Sequence, residues 1–107
     1  MSALLVLTNL PDRVAAEKLA AALIEQRLAA CVNILAPCRS VYRWQGQVQH
    51  DEEHPMLIKT TAQRYAALED AIRSAHPYAL PEIVALPIER GLPAYLDWVA
   101  AETTAAS

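Results

Sequence analysis

Residues 40–60, which read SVYRWQGQVQHDEEHPMLIKT, decide the fold because they describe one long β-hairpin. Side chains in the first half alternate with period two, so that Tyr42 and Trp44 point to the same side of the strand. Gln45-Gly46 is the predicted turn, since glycine supplies the positive φ that a tight hairpin turn needs. The return strand runs through a polar patch into an apolar run. A hairpin of this length exposes its aromatic side chains unless another chain covers them.

A strand–helix–strand pattern precedes the hairpin. The apolar run at 3–8 is typical of a buried strand. Asp12 is a good N-cap for a helix over about 13–28, and strand-like residues follow at 31–35.

The same pattern follows the hairpin. Apolar side chains at helical spacing predict a second helix over 62–75, with Thr60 or Thr61 as its N-cap. Pro77 ends this helix, because the residue before a proline avoids the α region. A strand rich in β-forming residues is predicted at 82–88.

Two βαβ units joined by a hairpin predict an α+β fold, a ferredoxin-like (βαβ)2 sandwich in one domain over residues 1–107. We expect an antiparallel sheet with both helices on one face and the other face in need of cover. Gly91 is expected to turn the chain into a C-terminal helix over 93–102, whose first turn suits proline. The small polar tail, 103–107, is expected to fray.

The composition restricts the possible classes of function. The chain has 107 residues, of which 54% are hydrophobic and 20% charged, as is typical of a globular protein. The formal net charge is −3 and no basic tract occurs, so nucleic-acid binding has no electrostatic support. The apolar run near the N-terminus is too short to span a bilayer and lacks the flanks of a signal peptide. We therefore expect a cytoplasmic protein that binds neither nucleic acid nor membranes.

Familiar catalytic motifs are missing from the sequence. Two glycines cannot build a Gly-rich phosphate loop, and neither a nucleophile elbow nor an HExxH pair occurs. Cys31 and His76 could in principle form a thiolate–imidazole pair, but Cys31 equally suits a small buried residue at the start of a strand. We therefore expect no enzymatic activity.

The histidines are the first candidates for metal ligands. His50 and His54 flank three acidic residues, yet four positions along a strand separate them by roughly 13 Å, too far for one ion. His76 opens the stretch HPYALPEI, residues 76–83, in which two prolines fix the chain. It is either a polar cap at a helix C-terminus or a metal ligand.

Charged and aromatic side chains suggest a cleft or an interface. Lys59 and Glu82 lie near the ends of predicted core strands, and if they meet they form an ion pair or a small-anion site. Amphipathic aromatic residues of the kind enriched at interfaces occur at four further positions, Tyr42, Trp44, Tyr78 and Trp98. Packing in the core is the alternative for these four.

Six motifs together resemble a known family. They are AACVNI (29–34), SVYRWQG (40–46), IKT (58–60), HPYALPEI (76–83), LPI (86–88) and YLDW (95–98). In order and spacing the set resembles the CutA family of divalent-cation tolerance proteins over about residues 3–101. The resemblance implies a ferredoxin-like fold and a tight trimer of PII-like architecture, in which the hairpin packs against neighbouring subunits. It also implies a link to tolerance of copper and other divalent ions, with no agreed enzymatic reaction.

The resemblance carries over only part of a metal site. The copper site proposed for the family uses a cysteine at the end of the first strand and two adjacent histidines before Pro-Tyr. Thr8 and Ala75 stand at two of these positions, so that only His76 matches. Cys31, in AACVNI, is the remaining thiol candidate, and soft copper prefers thiolate or several imidazoles. The predicted metal ligands are therefore His76 and Cys31.

Three readings of the function follow. The first is a trimeric cytoplasmic divalent-cation tolerance protein that binds copper or other divalent metal ions and requires no cofactor. The alternative is a PII-like signalling or small-ligand-binding trimer with no metal role. Its inter-subunit clefts or interfaces would use Tyr42, Trp44, Lys59, Tyr78, Glu82 and Trp98. The third is a stable scaffold that another protein recognises.

Overall fold

The computed structural model describes residues 2–105, along which five strands and three α-helices are found. In chain order they are β1 (Ala3–Leu10), α1 (Arg13–Glu25), β2 (Cys31–Ile34), β3 (Cys38–Trp44), β4 (Gln47–Thr61), α2 (Tyr65–Ala75), β5 (Ile83–Pro87) and α3 (Pro93–Glu102). A short 3-10 helix, Ala62–Arg64, leads into α2. The predicted α+β class is confirmed.

The sheet has the order β2-β4-β1-β5, and every neighbouring pair is antiparallel. Val6 in β1 lies between Ile58 of β4 and Ala85 of β5. Since β1 and β2 both run antiparallel to β4, they are parallel to each other with β4 between them. The helix α1 makes this crossover, and α2 makes the corresponding one from β4 to β5. The predicted antiparallel sheet is confirmed.

The long hairpin is also present. β4 runs for 15 residues; its first half pairs with β3 and its second half with β1 and β2. The turn is Gln45-Gly46, with φ of 51° and 79°. Two successive positive φ values are typical of a type I′ turn, whose twist matches that of the flanking strands. The hairpin therefore continues the sheet as a two-stranded arm.

The core lies between the sheet and the helices α1 and α2. Leu19 and Leu23 of α1 and Leu68 and Ile72 of α2 are fully or almost fully buried against Val6, Met56 and Ile58 of the sheet. Burial of each such side chain contributes about 1.5–3 kcal/mol. Both helices consequently cover the same face of the sheet, as expected.

Helix boundaries differ from the sequence prediction at two places. Asp12 is the N-cap of α1, and its Oδ1 accepts from the Ala15 N–H at 2.8 Å. The helix ends at Glu25 rather than near residue 28, because Arg27 adopts a positive φ of 57°. Thr61 occupies the N-cap position of the 3-10 helix that leads into α2, but it makes no side-chain cap bond, and the Thr60 hydroxyl donates to the Leu28 carbonyl instead.

The second face of the sheet is covered in part by α3. Val99 is fully buried but lies outside the cluster formed with α1 and α2. Gly91 precedes α3 without a positive φ; a Cβ there would lie 3.1 Å from Leu96 Cδ2, a tight contact that the leucine side chain would have to relax. Thr103, placed in the frayed tail by the sequence, is buried, and its hydroxyl donates to the Val99 carbonyl at 2.8 Å. Residues 106 and 107 of that tail lie outside the described residues.

No helix among residues 2–105 is both long and apolar enough to cross a membrane.

Candidate functional site

A groove lies between the hairpin arm and the connector 76–83, and we call it the hairpin groove. Its volume is about 530 Å³, and its principal lining residues are Asn9, Tyr42, Trp44, Glu53, Tyr78 and Glu82. The register explains how the arm contributes. Tyr42 lies opposite Gln49 and Trp44 lies opposite Gln47. Gln47 and Gln49 are on the same face of β4 as Glu53, so the two aromatic side chains are on that face as well. The groove therefore collects side chains from β1, β3, β4 and the connector.

Glu53 is the unusual member of the groove. Only 8% of its surface is exposed. The sequence placed it in a solvated polar patch, but the alternation of β4 puts it on the same face as Leu57 and Lys59. Within the described part of the chain it forms no ion pair, and no lysine or arginine lines the groove. A nearly buried carboxylate without a cationic partner is uncommon, because hydrogen bonds such as one from the Tyr78 hydroxyl compensate its desolvation only in part.

The phenol of Tyr78 is affected by this carboxylate. Burial, followed by the charge of Glu53, raises the pKa of Tyr78 to about 12 from its usual value of 10.0. The phenol, already neutral at pH 7, thus stays protonated to a higher pH than an ordinary tyrosine. It can share its hydrogen with a carboxylate or accept one from a ligand.

Two further hydrogen bonds shape the groove. The Tyr42 hydroxyl donates to Asp51, and this bond raises the pKa of Tyr42. The Asn9 side-chain amide donates to Glu82 Oε1 at 3.0 Å. Glu82 is thus partly satisfied by Asn9, and Glu53 lies within hydrogen-bonding reach of the Tyr78 hydroxyl but has no cationic partner among residues 2–105. Asn9 and Glu53 were not singled out from the sequence, although the parity of Glu53 with Leu57 was a usable signal.

His76 lies at the base of the connector with both ring nitrogens engaged. It is 8% exposed, and its Nε2 lies 2.5 Å from the Asn9 carbonyl oxygen. The Tyr78 backbone N–H donates to Nδ1 at 3.2 Å, so Nε2 is the nitrogen that carries the hydrogen. Its ring also packs against Tyr78, with centroids 4.6 Å apart. These contacts tie the connector to β1.

Cys31 lies elsewhere. Its Sγ is 3.8 Å from Lys59 Nζ, and the same ammonium donates to Asn33 Oδ1. Lys59 of β4 pairs with Cys31 of β2 on one side and with Leu5 of β1 on the other. His76 bonds instead to Asn9, which lies four residues farther along β1. Four residues along β1 correspond to about 13 Å. Within one subunit the two predicted metal ligands are therefore not brought together, and neither are Lys59 and Glu82.

The other candidates are also dispersed. Trp98 lies on α3, half exposed, with its ring centroid 5.6 Å from that of Tyr95. His50 and His54 lie on β4, as the strand prediction requires. Across residues 2–105 no three His, Cys, Asp or Glu side chains are close enough to hold a metal ion. Of the six residues predicted for a cleft, the groove brings together Tyr42, Trp44, Tyr78 and Glu82.

Comparison with known proteins gives consistent matches. Residues 4–102 match the family described as CutA1 divalent ion tolerance protein. The divalent-cation tolerance protein CutA of Thermus thermophilus is 48% identical over 98 residues, which is 92% of this chain and 95% of that relative. Human protein CutA is 43% identical over 97 residues, 91% of this chain, and this chain spans about half of its length (54%). The solved structure of the Thermus thermophilus protein has a TM-score of 0.93 at 46% identity and covers 95% of this chain and 99% of its own.

Proposed function

The chain belongs to the CutA1 family of divalent ion tolerance proteins, and from that premise we propose that it supports divalent-cation tolerance as a cytoplasmic homotrimer that binds a positively charged ligand in the hairpin groove. Each subunit would be ferredoxin-like and the trimer PII-like. Both cysteines are free thiols, which suits a reducing compartment.

Exposed apolar side chains support the homotrimer. Val41 and Val48 on the arm are 60% and 56% exposed, and Val84 and Leu86 on β5 are 47% and 53% exposed. Exposed apolar residues grouped on the arm and on β5 are typical of interaction surfaces. The arm also presents unpaired strand edges that a neighbouring subunit would cover. Neighbouring copies packed on the arm and on the second sheet face would bury both surfaces.

The positive charge of the proposed ligand is inferred from Glu53. This carboxylate is nearly buried, lines the groove and has no cationic partner among residues 2–105. A bound cation would compensate its desolvation, whereas an anion would add to it. The anionic ligand that Lys59 suggested does not suit this groove, because Lys59 does not line it.

A divalent metal ion is the first candidate for the cation. The groove offers carboxylate, phenol and amide oxygens from Glu53, Glu82, Tyr78 and Asn9. Oxygen donors suit hard ions, and soft Cu(I) prefers thiolate and imidazole. The copper ligands predicted from the sequence, His76 and Cys31, stay a prediction that would need contributions from more than one subunit.

A small organic molecule is the second candidate, and the size of the groove favours it. A cavity of about 530 Å³ is within the range of small-molecule sites. Three of its principal lining residues are aromatic. In this reading the protein is a ligand-binding trimer of PII-like type, and metal tolerance is an indirect outcome.

Native mass spectrometry of the metal-stripped protein tests the proposal. We expect a trimer that takes up Cu(II), Mn(II) or Zn(II), or a small cation, in steps of up to three. Glu53→Gln removes the charge while keeping the shape, and it should abolish this uptake. His76→Ala is compared in parallel to test the predicted copper ligand. A monomer, or uptake that is equal in Glu53→Gln, would contradict the proposal.

A further inference from the structure

We propose that the hairpin groove is a site for an organic ammonium ion, a small amine whose charged head lies on Glu53 and whose carbon chain lies between aromatic rings. The inference rests on the proposed function, in that it takes the groove to be the ligand site, and it specifies the chemical class of the ligand.

The charges of the groove select a cation. Glu53 and Glu82 are its ionisable carboxylates, and Asp51 lies just outside, bonded to Tyr42. Glu82 accepts a hydrogen bond from Asn9, and Glu53 lies beside the Tyr78 hydroxyl; each carboxylate has two oxygens and therefore keeps acceptor capacity for a ligand. An alkylammonium head carries three N–H donors. It can donate to Glu53, to the Tyr78 hydroxyl oxygen and to the remaining oxygen of Glu82.

The aromatic residues favour a ligand that has carbon atoms next to its charged group. Trp44 and Tyr42 reach the groove from β3 and Tyr78 reaches it from the connector, so aromatic rings stand on both sides. Their faces attract a cation and their area covers methylene groups. The Tyr78 phenol is neutral at physiological pH, as an ordinary tyrosine is, so its hydroxyl is available as a hydrogen-bonding group.

A bare metal ion would contact few of the side chains that line the groove. Hard divalent ions take about six oxygen ligands within 2.0–2.6 Å. The described residues provide no group of three acidic, histidine or cysteine side chains close enough for that. The groove is also far larger than an ion. An organic cation fills the volume, contacts the rings and neutralises Glu53 without requiring convergent ligands.

The site is held in shape before any ligand binds. His76 ties the start of the connector to the Asn9 carbonyl, and Pro77 and Pro81 limit the backbone between them. The other wall is a hydrogen-bonded strand pair. Such preorganisation lowers the entropy cost of binding a small molecule.

Isothermal titration calorimetry with 1,4-diaminobutane and butylammonium chloride tests the inference at constant ionic strength. Sodium butyrate and 1-butanol serve as the anionic and neutral probes of similar size. We expect both amines to bind and the other two to fail. Glu53→Gln should weaken amine binding by about 10-fold or more, because it removes a charge-assisted hydrogen bond.

A matched control is available on the same strand. Glu52 precedes Glu53, lies opposite Arg39 and points to the other face of the arm. Glu52→Gln changes the net charge equally, and amine affinity should stay within about two-fold of the wild type. If Glu53→Gln fails to assemble, Trp44→Leu provides a second test. It keeps an apolar wall and removes the π face, and should weaken the amines several-fold but not Mn(II).

The outcomes separate this inference from the proposed function. If Mn(II) or Zn(II) binds in a Glu53-dependent way and the amines do not, the groove is a metal site and the inference is wrong. If neither amine nor metal binds to an intact trimer, both proposals fail. The ammonium site would also be refuted if butyrate bound as tightly as butylammonium, or if Glu52→Gln and Glu53→Gln lowered amine affinity equally.

Discussion

His76→Ala should destabilise the protein even when no metal is present. The imidazole is 8% exposed and makes two hydrogen bonds, from Nε2–H to the Asn9 carbonyl and from the Tyr78 N–H to Nδ1. Alanine fills neither role. The Asn9 carbonyl loses a donor, the Tyr78 N–H loses an acceptor, and the ring contact with Tyr78 disappears.

The size of the effect follows from these losses. A hydrogen bond contributes about 1 kcal/mol net, and more where a partner is left unsatisfied. The aromatic contact adds about 0.5–1.5 kcal/mol. The sum for His76→Ala is therefore roughly 2–4 kcal/mol of unfolding free energy, a large fraction of the stability of a small domain.

Urea unfolding at fixed protein concentration, in the presence of a chelator, measures this free energy. Fixed concentration matters because the midpoint of an oligomer depends on it. His50→Ala is the matched control: His50 is exposed on β4, and its substitution should change stability by less than about 0.5 kcal/mol. If His76→Ala matches His50→Ala in chelator, and only added copper separates His76→Ala from the wild type, the imidazole is a free metal ligand and this reasoning is refuted.

Three further predictions concern the groove, the interface and the turn. Tyr78 should be the last tyrosine to ionise in an ultraviolet titration. Between pH 10.0 and about 12 the folded protein holds a proton on Tyr78 that the unfolded chain has lost, so the free energy of unfolding should fall over this range. A Tyr78→Phe variant should lose that part of the decline. Leu86→Asp should convert the trimer to smaller species in light-scattering chromatography, whereas Val14→Asp, on the exposed side of α1, should leave it intact; equal behaviour would argue against an interface on β5. Gln45→Asn should raise thermal stability by a few tenths of a kcal/mol, since Asn-Gly is the preferred type I′ pair, and a decrease would contradict the turn assignment.

The elements that depend on local sequence were predictable. The period-two pattern with Gln45-Gly46 predicted the hairpin, and Asp12 predicted the start of α1. Pro77 correctly predicted the end of α2, where His76 has an extended ψ of 133°. In each case the determining residues lie within a few positions of the feature they produce.

The features that failed depend on residues distant in sequence. Thr60 does not cap a helix because a carbonyl 32 residues earlier, that of Leu28, accepts its hydroxyl hydrogen. The end of α1 is set by Arg27 in the left-handed region, which no glycine or asparagine marks, and the Arg27 carbonyl accepts a hydrogen bond from Arg64, 37 residues later. Residue type suggested an ion pair between Lys59 and Glu82, but strand register places Lys59 opposite Leu5 and Glu82 beside Asn9. Register is a property of the whole sheet, so residue type alone could not exclude the pair.

The candidate site was likewise predictable from the sequence only in part. Tyr42, Trp44, Tyr78 and Glu82 were found from residue type, because amphipathic aromatics and charges near strand ends are unusual enough to be noticed. Glu53 was missed because it sits within a run of acidic residues that is typical of a solvated surface. Its burial arises when the connector folds back across the arm, a contact between segments more than twenty residues apart.

The position of His76 affects how any binding experiment on this residue is interpreted. Because it anchors the connector that carries Tyr78 and Glu82, His76→Ala can weaken a groove ligand without having touched it. A double-mutant cycle with Glu53→Gln distinguishes the two roles. If His76 acts through the connector, its substitution should lose most of its effect on amine binding in the Glu53→Gln background. If His76 binds copper at a separate site, its effect on copper should be the same in both backgrounds, and the two free energies should add.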